Sequence, residues 1–187
     1  RRQRQMCIRD RFMSAYFDQP SANMVINNRP LDLLFKGGLV VDGSGAPPYE
    51  GDVGVRDGRL LMLADGHNAK ADIVIDITEK VIAPGFIDIH THARADLVSP
   101  DAALMINYLT QGVSTVIIGN DGDGATRIKK RFDKIFAHGA GTNVAQLVGH
   151  ASLRRRVMGD TGRPATASEI DEMKSILAES LGEGAMG

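Results

Sequence analysis

Two histidines stand one residue apart in the segment "VIAPGFIDIHTH", which covers residues 81–92. The apolar run before them is typical of a strand, and side chains alternate between the two faces of a strand. His90 and His92 should therefore point the same way, together with Asp88, which could orient one of the rings. Neutral imidazole nitrogens suit Zn²⁺ and similar metals, and two of them supply half of a four-coordinate sphere. Because a lone His-x-His also arises by chance, the elements that position the pair decide its meaning.

The chain before the histidines has the pattern of a β structure. From Leu31 to about Ala83, short apolar segments are separated by glycine-containing turns, among them Lys36-Gly37-Gly38 and Asp57-Gly58. Such dipeptides between apolar runs indicate tight hairpins, because these turns need positive φ angles. The sequence therefore predicts a small antiparallel β unit, part of a β-sandwich, over residues 31–83.

After Pro84-Gly85 the pattern changes to strands that alternate with helices over residues 84–187. "FIDIHTH", "VSTVIIGN" and "NVAQLVGH" have the composition of buried strands, and the first helix should run from Ser99-Pro100 to Gly112. A basic loop should follow the third strand, and then a helix that begins with the capping-box pattern Thr166-x-x-Glu169. Alternation with short connections predicts parallel strands with helices packed outside them. Either an open doubly wound α/β sheet or the start of a (β/α)8 barrel fits.

Composition limits the partners. The chain has 187 residues, of which 43% are hydrophobic and 24% charged, with a formal net charge of -1. This balance predicts a globular protein that acts on small molecules and offers no basic face to nucleic acid or an anionic membrane. No apolar run is long enough for a membrane span. Because no secretory signal is visible, the sequence favours the cytoplasm.

The N-terminus differs from the rest of the chain. Residues 1–11, "RRQRQMCIRDR", contain five arginines and the only cysteine. They resemble the translation of a sequencing adapter, so we interpret them as a non-native leader. A basic arm for nucleic acid is the alternative interpretation. Residues 12–30 are expected to form a polar tail.

"GFIDIHTH", together with "GGLVVDGSGAPP", "GVSTVIIGNDG", "VGHASLRRRVMG" and "EGAMG", resembles the amidohydrolase superfamily, most closely its N-acyl-D-amino-acid deacylase branch. The resemblance covers about residues 31–187. It implies the first three to four β/α units of a metal-dependent (β/α)8 barrel, truncated after Gly187. It also implies a β-sandwich built from both chain termini.

The resemblance further implies a set of site residues. His90 and His92 match metal ligands after the first barrel strand, and Asp121 in "IGNDG" stands where the deacylase branch commonly has a cysteine ligand. A carboxylate is still a competent zinc ligand, although a turn aspartate beside Gly122 is the alternative. His150, expected to close the third strand, and Arg154 would bind the substrate's carbonyl or carboxylate, and the alternatives are a structural histidine and a solvated loop arginine. The family's general-base aspartate and two more histidine ligands would lie beyond Gly187.

The implied activity is hydrolysis of an amide by a water that one or two Zn²⁺ ions activate. The substrate would be a small N-acyl amino acid, with no nucleic acid or membrane as partner and the oligomeric state open. A cyclic-amide hydrolase of the dihydroorotase or hydantoinase kind is one alternative, but it usually carries a carboxylated lysine at the second strand, where this sequence has none. A non-catalytic amidohydrolase-like scaffold or an inactive fragment is the other alternative.

Overall fold

A computed structural model describes residues 30–64 and 68–187 of the chain. These residues divide into two compact units between Pro84 and Gly85. The predicted leader, residues 1–11, and the predicted polar tail up to residue 29 lie outside the described residues. No helix in the described part of the chain has both the length and the hydropathy needed to cross a bilayer.

The first unit is a five-stranded sheet. Its strands are β1 (Leu31–Val40), β2 (Tyr49–Arg56), β3 (Arg59–Ala64), β4 (Ala71–Asp76) and β5 (Val81–Ile82). They lie in the order β3-β2-β1-β4, and β5 also pairs with β1. The β1–β2 and β2–β3 pairs are antiparallel, whereas β4 and β5 run parallel to β1. The predicted antiparallel unit is therefore correct for β1–β3 and wrong for β4 and β5.

One of the two predicted hairpin turns is present. Asp57 and Gly58 connect β2 to β3 with φ angles of 53° and 72°. At Lys36-Gly37-Gly38 the prediction of a turn is wrong, because β1 continues through it with a bulge between Phe35 and Gly38. The Gly37 N–H donates to Oδ1 of the buried Asp52 at 2.8 Å. This carboxylate supplies the partner that the irregular ladder leaves missing, so the strand continues without turning back.

The second unit is a parallel α/β layer. Its strands are β6 (Phe86–Asp88), β7 (Val113–Ile118) and β8 (Asn143–Gln146), and its helices are α1 (Ile106–Leu109), α2 (Ile128–Phe136), α3 (His150–Met158) and α4 (Ala167–Gly182). The strands lie in chain order and all pair in parallel, which confirms the predicted parallel α/β arrangement. Beyond β8, the Met186 N–H donates to the Gln146 carbonyl at 2.8 Å and the Val148 N–H donates to the Gly187 carbonyl at 2.7 Å. Bonds in both directions extend the pairing on the far side of β8.

The core of this unit lies between the strands and the helices. Val116 and Ile118 share one face of β7, and they form a buried cluster with Val144 of β8 and Ile135 of α2. The other buried members come from the segment after β6: Ala93, Leu97 and Met105. That segment, which directly follows the two histidines, is therefore fixed against the sheet by apolar packing.

The predicted helix from Ser99 to Gly112 is reduced to α1. The chain does turn after Ser99, whose carbonyl accepts the N–H groups of Ala102 and Ala103 at 3.2 and 2.9 Å. However, the Ala103 carbonyl accepts from the Gly141 N–H at 3.0 Å, and Met105 has a φ of 52°. A diverted carbonyl and a left-handed residue interrupt the helix, which resumes only at residue 106.

The two later helices, α3 and α4, differ in how well the sequence predicts them. The predicted basic loop after β8 is wrong, because His150–Met158 forms α3. Only Leu153 of α3 is buried, so the segment lacks the apolar period by which a packed helix is recognised. The capping box of α4 is confirmed: the Thr166 side chain accepts the Glu169 N–H at 3.3 Å, and the Glu169 carboxylate accepts the Thr166 N–H at 2.8 Å.

Candidate metal centre

Thr91, the residue between the two histidines, is bonded to the neighbouring strand β7. Its N–H and its hydroxyl both donate to the Ile117 carbonyl in β7, at 3.1 and 2.9 Å. The side-chain amide of Asn120 donates to the Thr91 carbonyl at 3.3 Å and to the same Ile117 carbonyl at 3.1 Å. Because Thr91 is only 3% exposed, its two neighbours project away from the core. His90 and His92 consequently lie in solvent just beyond the carboxyl end of β6.

Asp121 joins the two histidines in a compact group. Its Oδ2 lies 3.3 Å from Nε2 of His90 and 3.1 Å from Nε2 of His92. The two imidazole centroids are 5.6 Å apart with planes inclined by 39°. One donor atom from each of the three side chains falls within 4.8 Å of the others. The structure thus brings together the three candidate ligands that the sequence analysis named.

The three donors fit a zinc ion chemically. Two imidazole nitrogens and one carboxylate oxygen are donor types that zinc takes, and catalytic zinc sites use three protein ligands with one position open. The side chains of His90, His92 and Asp121 are 58%, 73% and 55% exposed, so a cation and a substrate could both reach the group. Their role as ligands stays a prediction.

The backbone of Asp121 is unusual. Its φ is 59°, in the left-handed region, and that of Gly122 is 76°. Aspartate tolerates this conformation better than most residues. The conformation agrees with the alternative interpretation of Asp121 as a turn residue. Its side chain nevertheless reaches both histidines, so the turn places the carboxylate at the candidate centre.

Asp88 does not act as the sequence suggested. Its carboxylate accepts the backbone N–H of His90 at 3.0 Å, where we expected it to orient an imidazole ring. It lies at the end of β6, so the contact sets the path of the main chain as it leaves the strand. Asp88 therefore positions the backbone of His90.

Asp123, which follows Gly122 in the same loop, lies in a second cluster beside the centre. Its Oδ2 is 2.8 Å from Nη2 of Arg94, and its Oδ1 is 3.7 Å from Nη1 of Arg155. The Ser152 hydroxyl donates to Oδ1 at 3.4 Å, and Nη1 of Arg94 donates to the Asp123 carbonyl. The hydrogen bond and the charge of Arg94, supported by Arg155, hold the pKa of Asp123 below its ordinary value. The sequence signal that could have indicated Arg94 is its position two residues after His92.

The two predicted substrate-binding residues lie on α3. His150 is its exposed first residue, so the prediction that it closes the third strand is wrong, since β8 ends at Gln146. Arg154 is half-buried and its guanidinium donates to the Arg163 carbonyl at 3.0 Å. The start of α3 lies against the loop that carries Asp121, because the Ser152 N–H donates to the Gly122 carbonyl at 3.2 Å. The binding roles of His150 and Arg154 stay predictions.

An open pocket of about 410 Å³ adjoins the centre at His92. Arg94, Arg131 and Gln146 line it, together with small apolar side chains. Gln146 is fully buried, and its Oε1 has no hydrogen-bond partner within the described residues. Burial lowers the pKa of Arg131, and the charge of Arg94 adds to this. The pocket thus places polar groups among small apolar side chains next to the candidate ligands.

Comparison with known proteins shows that this chain is similar to amidohydrolases in sequence and fold. No family model matches the chain. D-aminoacylase from Alcaligenes xylosoxydans xylosoxydans is 35% identical over 184 residues, which cover 86% of this chain and 38% of that protein. A solved structure of D-aminoacylase, which defines a subset of amidohydrolases, matches with a TM-score of 0.77 at 34% identity, over 84% of this chain and 38% of the other.

A second solved structure supports the same grouping. N-acyl-D-glutamate deacylase from Bordetella bronchiseptica, in complex with zinc and a phosphonate inhibitor, matches with a TM-score of 0.73 at 32% identity, over 82% of this chain and 37% of that one. In sequence and fold the chain is thus similar to proteins of the amidohydrolase superfamily. Within it, the chain is homologous to D-aminoacylase and the N-acyl-D-amino-acid deacylases. It spans about 38% of the length of D-aminoacylase.

Proposed function

We propose that this chain provides part of the metal centre of a zinc-dependent hydrolase that removes the acyl group from N-acyl-D-amino acids. The observation that carries the proposal is the meeting of His90 Nε2 and His92 Nε2 at Asp121 Oδ2, at 3.3 and 3.1 Å. The relatives support it, since D-aminoacylase has a binuclear metal centre and the Bordetella deacylase binds zinc and a mimic of the tetrahedral intermediate.

The proposed architecture follows the same relationship. Residues 31–83 would form part of a β-sandwich, and residues 84–187 the first three to four units of a (β/α)8 barrel. The parallel order β6-β7-β8 and the extended pairing beyond β8 support the barrel. In such barrels the active site lies at the carboxyl ends of the strands, which is where His90 and His92 lie. A small N-acyl amino acid is the proposed partner and the cytoplasm the proposed location.

In this proposal the chain's own residues bind the metal ion and the substrate, orient the ligands and offset part of the ion's charge. Zinc, as one ion or two, would supply a Lewis acid for the amide carbonyl and a lowered pKa for a bound water. His90 and His92 offer Nε2 donors, and Thr91 and Asn120 hold both at a fixed spacing. Asp121 contributes a negative charge that offsets part of the cation's charge. His150 and Arg154 would bind the substrate's carbonyl or carboxylate.

The metal part of the proposal is tested on the full chain. After dialysis against zinc and removal of free ions, the chain should retain zinc, and His90→Ala and His92→Ala should each lose it. His138→Ala is the matched control, because His138 is exposed and lies outside the group of three. Equal zinc content in all four proteins would contradict the proposed centre.

The substrate part is tested on the full-length protein. Zinc-loaded enzyme should release the amino acid from N-acetyl-D-amino acids, and more slowly from the L-enantiomers. His92→Ala should abolish the release. Hydrolysis of cyclic imides alone would favour the cyclic-amide alternative, and absence of any hydrolysis with zinc bound would favour a scaffold.

A further inference from the structure

Asp121 presents its carboxylate from a conformation that the loop alone does not favour. A left-handed φ of 59° in a residue other than glycine is strained, and it persists where surrounding contacts hold it. Gly122, with a φ of 76°, follows directly and adds conformational freedom. The position of the Asp121 carboxylate therefore depends on the contacts that hold the loop after Gly122, which begin at Asp123.

The guanidinium of Arg94 holds both the main-chain carbonyl and the side-chain carboxylate of Asp123. Nη2 of Arg94 lies 2.8 Å from Oδ2 of Asp123, and Nη1 donates to the Asp123 carbonyl. A planar guanidinium that bonds two groups of one residue fixes that residue's orientation as well as its position. Since Arg94 is two residues after His92, this contact ties the histidine segment directly to the Asp121 loop.

The start of α3 holds the loop from the other side. The Ser152 N–H donates to the Gly122 carbonyl at 3.2 Å, and its hydroxyl donates to Oδ1 of Asp123 at 3.4 Å. Arg155 adds an ion pair at 3.7 Å. The carboxylate of Asp123 is thus the point at which the segments that follow β6, β7 and β8 meet.

We propose that Asp123 is a positioning residue: clamped by Arg94 and by α3, it holds the Asp121 carboxylate against His90 and His92. The proposal rests on the proposed function, in that it takes Asp121 as a metal ligand. Asp123 itself is not a ligand, since its oxygens are engaged by Arg94, Ser152 and Arg155 and it is not one of the three grouped donors.

The test is Zn²⁺ binding by the full chain, measured by titration calorimetry, with the visible spectrum of bound Co²⁺ as a second readout. Asp123→Asn should weaken Zn²⁺ binding about tenfold, the low end for residues that orient metal ligands, and should change the Co²⁺ spectrum. Asp133→Asn is the matched control. Asp133 pairs with Lys129 at 3.0 Å and is 51% exposed, against 2.8 Å and 52% for Asp123, and should leave binding unchanged.

A double variant separates positioning from simple charge attraction. If Asp123 acts through Asp121, then Asp123→Asn should cause no further loss of affinity in an Asp121→Asn background. A tenfold loss that persists in that background would overturn the inference, because it would show direct attraction between Asp123 and the cation. Unchanged binding by Asp123→Asn in the wild-type background would also overturn it.

Failure of the inference and failure of the proposed centre give different results. If the unaltered chain binds no Zn²⁺, or if Asp121→Asn binds as well as the unaltered chain, the proposed centre itself is wrong. Should Asp123→Asn fail to fold, Arg94→Gln breaks the same clamp from its other partner. It should give the same loss of affinity, and normal affinity in a folded Arg94→Gln would overturn the inference.

Discussion

The N–H and the hydroxyl of Thr91 both donate to the single carbonyl of Ile117, at 3.1 and 2.9 Å. These two hydrogen bonds to one acceptor join the segment after β6 to the neighbouring strand β7 at a buried point. Each candidate histidine ligand is directly attached to the residue so fixed. The spacing of the two imidazoles is therefore set by the sheet and not by the flexibility of an exposed loop.

Thr91→Val should lower the free energy of unfolding by about 1 kcal/mol, because it removes a buried hydroxyl bond while it keeps the side-chain shape. Zn²⁺ affinity should fall as well, since the histidines lose part of their support. Urea denaturation and calorimetry measure the two effects. Thr91→Ser keeps the hydroxyl and should retain the zinc affinity; equal affinity in Thr91→Val and Thr91→Ser would show that the bond does not position the histidines.

Asp121→Cys should keep the centre and change its metal preference. A thiolate is softer than a carboxylate, so the preference for Zn²⁺ over Mn²⁺ should rise by about tenfold or more. Asp121→Ala should bind both ions weakly. Competition titrations measure the ratio of Zn²⁺ to Mn²⁺ affinity. If the unaltered chain and Asp121→Cys gave the same ratio, the side chain at residue 121 would not ligate the ion.

Gly149→Ala should disturb both stability and metal binding. A Cβ at residue 149 would overlap the backbone nitrogen of Gly124 and the carbonyl of Gly122. The overlap should cost about 1–3 kcal/mol of unfolding free energy and displace the Asp121 loop. Gly162→Ala is the control, because a Cβ there meets nothing within 4 Å. If thermal unfolding and Zn²⁺ titration did not distinguish the two variants, close packing of α3 on the loop would be excluded.

Glu169 should make the stability of the fold depend on pH in the acid range. Its hydrogen bonds to Arg163 and to the Thr166 N–H lower its pKa from 4.5 to about 2. A carboxylate with a depressed pKa contributes its full stabilisation above its unfolded-state pKa, and loses it as the pH falls through the folded-state pKa. Glu169→Gln should therefore melt below the unaltered chain at neutral pH, and the gap should close between about pH 4.5 and pH 2.

Glu169→Gln separates the effect of the carboxylate charge from the effect of the capping box. Glutamine keeps a side-chain oxygen that can accept the Thr166 N–H, so the capping box survives the substitution. Glu172→Gln, an exposed change on the same helix, controls for the loss of one negative charge. Melting curves across this pH range that show a constant gap would contradict the assignment of the acid dependence to Glu169.

The pairing of His90 and His92 could be predicted from a local rule, because side chains two residues apart share a strand face, whereas Asp121 was indicated by the resemblance to the deacylase branch. Parallel strands that follow one another along the chain bring their carboxyl ends to one edge, and His90, His92 and Asp121 all follow such ends. The capping box of α4 is equally local. What binds Asp121 in place is not local, since Arg94 and Asp123 lie 29 residues apart and neither belongs to a recognisable motif.

Two of the errors have a common origin. Glycines at 37 and 38 indicate a turn by themselves, but Asp52, on another strand, supplies the bond that makes a bulge instead. Ser99-Pro100 is a good helix start, yet Gly141, far along the chain, takes the carbonyl that the helix needed. Each time a tertiary hydrogen bond overrides a local preference, and a single sequence does not show the partner.

His90 and Asp121 are separated by 31 residues, the span of a single strand–helix–strand crossover. The chain entropy lost in bringing these donors together is therefore that of one modest loop, and it grows only slowly with loop length. Contacts at this sequence separation need less loop closure than those that close a large sheet. An ion held by His90, His92 and Asp121 would stabilise the pairing of β6 with β7 from the first crossover onward, so metal supply would influence folding yield as well as chemistry.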